Sequence, residues 1–150
     1  MRIKRLIDHP DAISVLASWY VSEWEPYYGK AEPGDARADL VARLNREALP
    51  IGLVAMEGER VLASAALGLD VTTSLTPSII GLLVGRNHWG QGIGTAIIAS
   101  CEDLARELGY RHLYMSTSDL ERLLQRLGWW KTGEIRFLNE EHGSVFVRDL

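Results

Sequence analysis

Apolar residues along this chain fall into short blocks whose period changes from two to three-and-a-half and back. After an apolar start at residues 3–6, which reads as a short strand, Ala12, Val15, Leu16, Trp19 and Tyr20 recur at steps of three and four. That spacing lines one face of a helix. Pro10 suits a first helical position, where an N–H would be unpaired anyway, and Pro26 ends the segment. Beyond a loop at 30–34, Asp35 stands where a cap is wanted, and Leu40, Val41, Leu44 and Ala48 form a second stripe that Pro50 stops. Residues 51–56 and 61–67 are apolar runs joined by Glu57-Gly58-Glu59-Arg60, the signature of a hairpin. A further run at 78–84 is long enough for a strand buried on both faces.

The strongest periodicity comes next. Ile93, Ala96, Ile97, Ser100, Cys101, Leu104, Ala105 and Leu108 make one helical stripe, with Glu102, Asp103, Arg106 and Glu107 expected on the wet face. Gly109 follows as a left-handed cap. A strand at 112–116 leads to Ser118-Asp119-Leu120-Glu121, which fits a capping box. The helix it opens carries Leu120, Leu123, Leu124 and Leu127 and closes at Gly128; two strands, 132–137 and 145–148, end the chain. The sum is an α/β domain, 1–150, with a mixed, mostly antiparallel central sheet flanked by about four helices.

Composition narrows the function. With 150 residues, 47% hydrophobic and 24% charged, the chain can bury one core and is not disordered. A single cysteine excludes an internal disulfide and a four-cysteine zinc site. His9, His112 and His142 are too scattered to bind metal, so no metal is expected. The net charge is −4 with no basic run, which argues against nucleic acid as a partner. No apolar stretch is long enough to span a bilayer, and the first six residues hold no apolar signal core, so a cytoplasmic protein off the membrane is expected.

The chemistry lies in Leu82-Leu83-Val84-Gly85-Arg86-Asn87-His88-Trp89-Gly90-Gln91-Gly92-Ile93-Gly94-Thr95. A buried strand runs into a glycine-rich turn that opens the best helix in the chain. Glycine lets backbone approach a ligand, and the first N–H groups of a helix lack internal partners and carry about half a positive charge. The combination is a phosphate site. A P-loop would need Lys-Ser/Thr where Gln91-Gly92 stands, and a dinucleotide site would need its third glycine at Thr95. The first pattern fails and the second matches only in its first two glycines.

The spacing resembles instead the coenzyme A site of the GCN5-related N-acetyltransferase (GNAT) superfamily. Leu82-x-Val84 ends the strand, Trp89-Gly90-Gln91-Gly92-Ile93-Gly94 occupies the family's Q/R-x-x-G-x-G/A pattern, and Gly128-Trp129 parallels its Gly-aromatic pair after the fourth helix. The order of elements matches over most of the chain. The resemblance implies acetyl-CoA as cosubstrate: backbone of Leu82, Leu83 and Val84 along the pantetheine arm, amides from Trp89 through Thr95 (Gly90, Gln91, Gly92, Ile93 and Gly94 between them) on the pyrophosphate, and a strand amide near Val84 polarising the thioester carbonyl. It implies an N-acetyltransferase acting on a primary amine of a small molecule or peptide, by direct attack in a ternary complex, and admits a homodimer.

Two positions depart from the pattern. Trp89 replaces the usual Gln or Arg, and Leu124 stands where many members carry a proton-donating tyrosine. Leu124 is then expected to pack against the cofactor, and Thr117 to take the place of a cofactor-contacting Asn. The cofactor strand has no glutamate, which leaves Asp70, at the end of the preceding strand, as the candidate base. Glu23, Glu25, Trp24 and Tyr27 lie where the first helix would wall the acceptor site. These departures keep open a different reading, a non-catalytic coenzyme A-binding regulatory module. A nucleotide-dependent enzyme stays as a third reading, which predicts stabilisation by ATP or NAD and none by acetyl-CoA. Cys101 is read as an inert core residue.

Overall fold

The computed structural model describes residues 1–24, 28, 35–137 and 140–150. Its strands are β1 (Arg2–Arg5), β2 (Ile51–Glu57), β3 (Arg60–Asp70), β4 (Leu75–Val84), β5 (His112–Thr117), β6 (Trp130–Arg136) and β7 (His142–Asp149). Its helices are α1 (Ala12–Glu23), α2 (Ala36–Val41), α3 (Ile93–Glu107) and α4 (Glu121–Arg126). The strands form one sheet in the order β1-β2-β3-β4-β5-β7-β6. Every neighbouring pair is antiparallel except β4 and β5, which run parallel. The mixed α/β architecture expected from the periodicities is the one observed.

Strand alternation divides the core in two. Ile51, Leu53 and Ala55 turn to the face covered by α3 and α4, where they meet Ile97, Ile98, Cys101, Leu104 and Leu124. Val54 and Met56 turn to the other face and pack with Leu6, Ile13, Leu16, Tyr20 and Leu40 beneath α1 and α2. Each fully buried Leu or Ile side chain contributes roughly 1.5–3 kcal/mol. The β2–β3 hairpin turns at Gly58 (φ +60°), with Glu57 opposite Arg60.

Several local expectations are corrected. Leu6 belongs to a short 3-10 turn, Leu6–Asp8, rather than to β1. Helix α1 begins at Ala12, two residues after Pro10, and its buried stripe is Ala12, Ile13, Leu16 and Tyr20 while Val15 is exposed. Asp35 does cap α2, accepting from the Ala38 N–H at 3.0 Å, but the helix stops at Val41. The chain then tightens, with Arg43 and Leu44 N–H groups reaching back three residues, and the Gly52 N–H bonds the Arg43 carbonyl. This brings Arg43 inside and leaves Val41 and Ala48 outside. Glu102, expected on the wet face of α3, is buried because the Arg148 guanidinium meets its carboxylate at 3.0 Å.

The capping box does not form. Leu120, not Ser118, occupies the N-cap of α4, and the Thr117 hydroxyl accepts from the N–H groups of Asp119 and Leu120. Ser118 donates to Glu141, and Glu121 accepts from Ser144. The left-handed caps at Gly109 (φ +88°) and Gly128 (φ +91°) are as expected.

Strand β4 departs most usefully from the sequence reading. Ile79 and Leu83 are buried, but Ile80, Leu82 and Val84 are only half-buried. Its pairing with β5 is confined to Ser78 opposite Tyr114, so the last six residues of β4 run free of β5 and a wedge opens between the two strands.

Candidate active site

One edge of the wedge is built by a bulge. Ser64 pairs with Leu83 and Ala66 with Ile80, so Ala65 alone faces both Gly81 and Leu82. Gly81 takes φ +62°, and a Cβ there would lie 2.6 Å from Arg43 Nη1 and 2.9 Å from the Tyr20 hydroxyl. Glycine is therefore required twice over, by conformation and by space. Past the bulge the Gly85 N–H donates to the Leu62 carbonyl at 2.9 Å. Alternation along an antiparallel ladder then sets Leu83 toward β3 and the N–H and C=O of Val84 toward β5. Val84 therefore presents its backbone to the wedge. Leu83 does not, because its polar groups complete the β3 ladder rather than line the arm.

Where β4 ends, residues 86–88 make a 3-10 turn, and Gly90 (φ +77°) and Gly92 (φ +78°) lead into α3. Nothing lies within 4 Å of a Cβ built on either glycine. Gly92 is the N-cap of α3 and has no side chain to cap it; the first intrahelical bond runs from the Ala96 N–H to the Gly92 carbonyl at 3.1 Å. The amides of Ile93, Gly94 and Thr95 precede any intrahelical acceptor, at the positive end of a 15-residue helix. Gly94 lies against Val84, with 3.8 Å from its Cβ position to Val84 Cγ2, which packs the helix start onto the strand. Open space, uncapped amides and a free strand edge fit a diphosphate joined to an amide-bearing arm.

Trp89 is largely exposed and crosses the wedge mouth, its indole N–H donating to the Val84 carbonyl at 2.8 Å. The Arg86 guanidinium lies 5.8 Å from the centre of that ring and is ion-paired with Glu23 on α1. Glu23, expected among acceptor-binding groups, is thus paired with Arg86 of the turn after β4. Trp24 is half-buried in an aromatic cluster, 4.8 Å from the Tyr20 ring centre and 6.5 Å from that of Tyr28. Burial and the neighbouring Asp39, which accepts from Tyr28 at 2.7 Å, push the Tyr28 hydroxyl far above its ordinary pKa, so it stays protonated. Glu25 and Tyr27 lie outside the described residues.

Asp70, the candidate base, is a partnered carboxylate rather than a solvated one. It is buried, accepts from the Thr72 N–H at 2.9 Å and from the Ser116 hydroxyl at 2.6 Å, and so ties the β3–β4 turn to β5. Thr117, expected at the cofactor, is buried with its hydroxyl engaged in the turn before α4, where it also donates to Asp119 at 3.2 Å. Leu124, expected against the cofactor, is fully buried in the core beneath α3, because the α4 stripe turns inward. Burial pushes the Cys101 thiol up to about 12, in keeping with an inert core residue. Among the described residues no three acidic, histidine or cysteine side chains gather as metal ligands, and no helix is long and apolar enough to cross a membrane.

Three participants escaped sequence reasoning. Arg43 lies within an expected helix, Tyr20 on an expected core stripe and Arg86 in an expected loop, and none carries a local sign of its partners. Gly81, interrupting an apolar strand, is a sequence signal that could have marked the bulge.

This geometry agrees with what comparison finds. A model of the acetyltransferase (GNAT) family matches residues 14–129. The chain belongs to that family. No curated protein matches the sequence. Among solved structures, an aminoglycoside 6'-N-acetyltransferase complexed with coenzyme A superposes with TM-score 0.78 at 14% identity, covering 99% of this chain and 97% of that one. The yncA protein of Salmonella typhimurium, with its cofactor acetyl-CoA, gives 0.73 at 19%, covering 100% and 94%. Ard1 from Thermoplasma volcanium gives 0.75 at 15%, covering 99% and 97%. At these identities the likeness is one of fold.

Proposed function

We propose that the protein is an acetyl-CoA-dependent N-acetyltransferase that acetylates a primary amine of a small molecule or peptide. The observation that carries this reading is the juxtaposition of the uncapped α3 start with the β4 edge left open by β5. The amides of Gly90 through Thr95 hold the pyrophosphate, and Leu82 and Val84 extend backbone groups to the pantetheine arm as a neighbouring strand would. For Val84 to offer its carbonyl, Trp89 swings off it; the phosphate loop already places Arg86 beside the incoming negative charge. Two neighbours of this fold are named as complexes with coenzyme A or acetyl-CoA, which supports the choice of cosubstrate.

Strand amides polarise the thioester carbonyl. A neutral amine nitrogen attacks the carbonyl carbon; its C–N bond forms, the C–S bond breaks, and the amine's proton leaves to solvent as coenzyme A departs. A thiolate with an ordinary pKa near 8.5 is a tolerable leaving group, so Leu124 in place of an acid does not prevent turnover. Asp70 is assigned to holding the β3–β4 turn. With no protein base in the scheme, kcat/KM rises with pH toward the pKa of the acceptor amine.

The test is a thermal-shift and thiol-release screen with acetyl-CoA over a panel of primary amines, aminoglycosides and N-terminal peptides among them. Stabilisation by acetyl-CoA with free thiol from at least one acceptor class is the expected result. Stabilisation with no thiol from any amine favours the non-catalytic coenzyme A-binding module instead, and no stabilisation at all rejects the site.

A further inference from the structure

A charged relay lies directly behind the β4 bulge. Arg43 is only 6% exposed, and its Nη1 donates to the Tyr20 hydroxyl at 2.9 Å. Tyr20 has no exposed surface and donates in turn to the Gly81 carbonyl at 2.7 Å. The guanidinium also lies 5.5 Å from the centre of the Tyr20 ring. Arg43 is fixed from its own backbone by the bond from Gly52, so the relay is anchored to β2, α1 and β4 at once.

The consequence lies on the far side of one peptide bond. A peptide is planar and trans, so its C=O and the following N–H point in opposite directions. Tyr20 draws the Gly81 carbonyl toward the α1–α2 layer, and the Leu82 N–H is thereby aimed the other way. Hydrogen bonds in series polarise one another, and a buried positive charge at the head of the series strengthens each donor below it. Leu82 also lies two residues further from the phosphate loop than Val84. The thioester terminates an extended arm that starts at that loop, so its carbonyl lies back along β4 rather than beside Val84.

We propose that Arg43 and Tyr20 are positioning residues that orient and polarise the Gly81–Leu82 peptide, so that the Leu82 N–H is the donor to the thioester carbonyl. This rests on the acetyltransferase reading above and adds to it the origin of the carbonyl polarisation.

The test uses acetyl-CoA labelled with carbon-13 at the carbonyl, bound to the full chain and followed by difference infrared spectroscopy. It needs no knowledge of the acceptor. In the unaltered protein the bound carbonyl stretch moves to lower frequency than in solution. Tyr20→Phe keeps the ring and its packing but removes the hydroxyl; the shift falls by more than half while the acetyl-CoA Kd stays within about 2-fold, since most of the affinity comes from the phosphate loop. Arg43→Lys, which retains a charged donor, keeps an intermediate shift, and Arg43→Met behaves as Tyr20→Phe. Once an acceptor is in hand, Tyr20→Phe lowers kcat by about 10-fold with little change in KM, less than the roughly 100-fold of losing an oxyanion donor outright. A full shift in Tyr20→Phe, or no shift in the unaltered protein despite binding, overturns the relay and leaves the acetyltransferase reading intact. Failure of the unaltered protein to bind acetyl-CoA overturns both.

Discussion

Gly92 separates the proposed cofactor site from the fold, because that site needs its emptiness and the fold needs only its backbone angle. Nothing lies within 4 Å of a Cβ built there, so a side chain meets no steric barrier; the cost is φ +78°. A left-handed conformation costs an ordinary residue about 1–2 kcal/mol, but Asn and Asp visit it readily. Gly92→Asn and Gly92→Asp are therefore a shape-matched pair, both expected to fold. A carboxylate at the start of α3 even recovers about 0.3–1 kcal/mol from the helix dipole.

Binding divides the pair. Two like charges 4 Å apart repel by about 1 kcal/mol in water and about 4 kcal/mol at the effective dielectric near a protein surface. The exposed loop lies between those limits, so we expect coenzyme A to bind Gly92→Asp about 100-fold more weakly than Gly92→Asn, each tenfold being about 1.4 kcal/mol. Titration calorimetry of both variants, alongside thermal melts, measures the ratio directly. Raising the salt shrinks it, since exposed charges are screened. Equal affinities for the two variants would refute a diphosphate at the α3 start, whatever else the protein binds.

Three further outcomes follow from the same geometry. Trp89→Phe keeps an aromatic ring at the wedge mouth but releases the Val84 carbonyl, so calorimetry should show coenzyme A binding at least as tightly as to the unaltered protein, and a clear loss of affinity would show that the indole is itself a ligand contact. Leu124→Tyr forces a larger, polar ring into a site with no exposed surface and should lower unfolding stability by about 1–3 kcal/mol in a urea titration, with an unchanged midpoint refuting that packing. Cys101, buried with its thiol pushed up to about 12, should resist a thiol-specific reagent at pH 8 in the native state and react once on unfolding; prompt native reaction would contradict its burial.

What the sequence disclosed was periodic or punctuated. The α3 stripe, the β2–β3 hairpin and the glycines at 90, 92 and 94 repeat or interrupt a pattern, and each stands where expected. Boundaries failed where tertiary contact overrode local preference: Asp35 capped α2 as read, yet the helix ended early because the Gly52 amide pulled the Arg43 segment onto β2. Side-chain roles that depend on distant partners were illegible. Glu102 looked solvated until Arg148, 46 positions away, closed on it, and Asp70 looked like a loop carboxylate until Ser116 reached it from β5. Arg43 has no local signature at all, since its partners are a phenol 23 positions earlier and, through it, a carbonyl 61 positions beyond that phenol. The place of Leu124 in a family pattern does not fix its contacts; the inward turn of α4 decides what it touches.

The lone register contact between Ser78 and Tyr114 leaves the sheet with a third border, interior rather than peripheral. A seam of that kind is ordinarily hazardous, because unsatisfied backbone invites another chain to dock as a strand. Under the proposed function the visitor that heals it is a small molecule, acetyl-CoA. Filling the seam joins the β1–β4 half to the β5–β7–β6 half, so ligand concentration becomes a term in the protein's own cohesion. Amide exchange along β4 and β5 should slow together on saturation, and the two halves should then melt as one body.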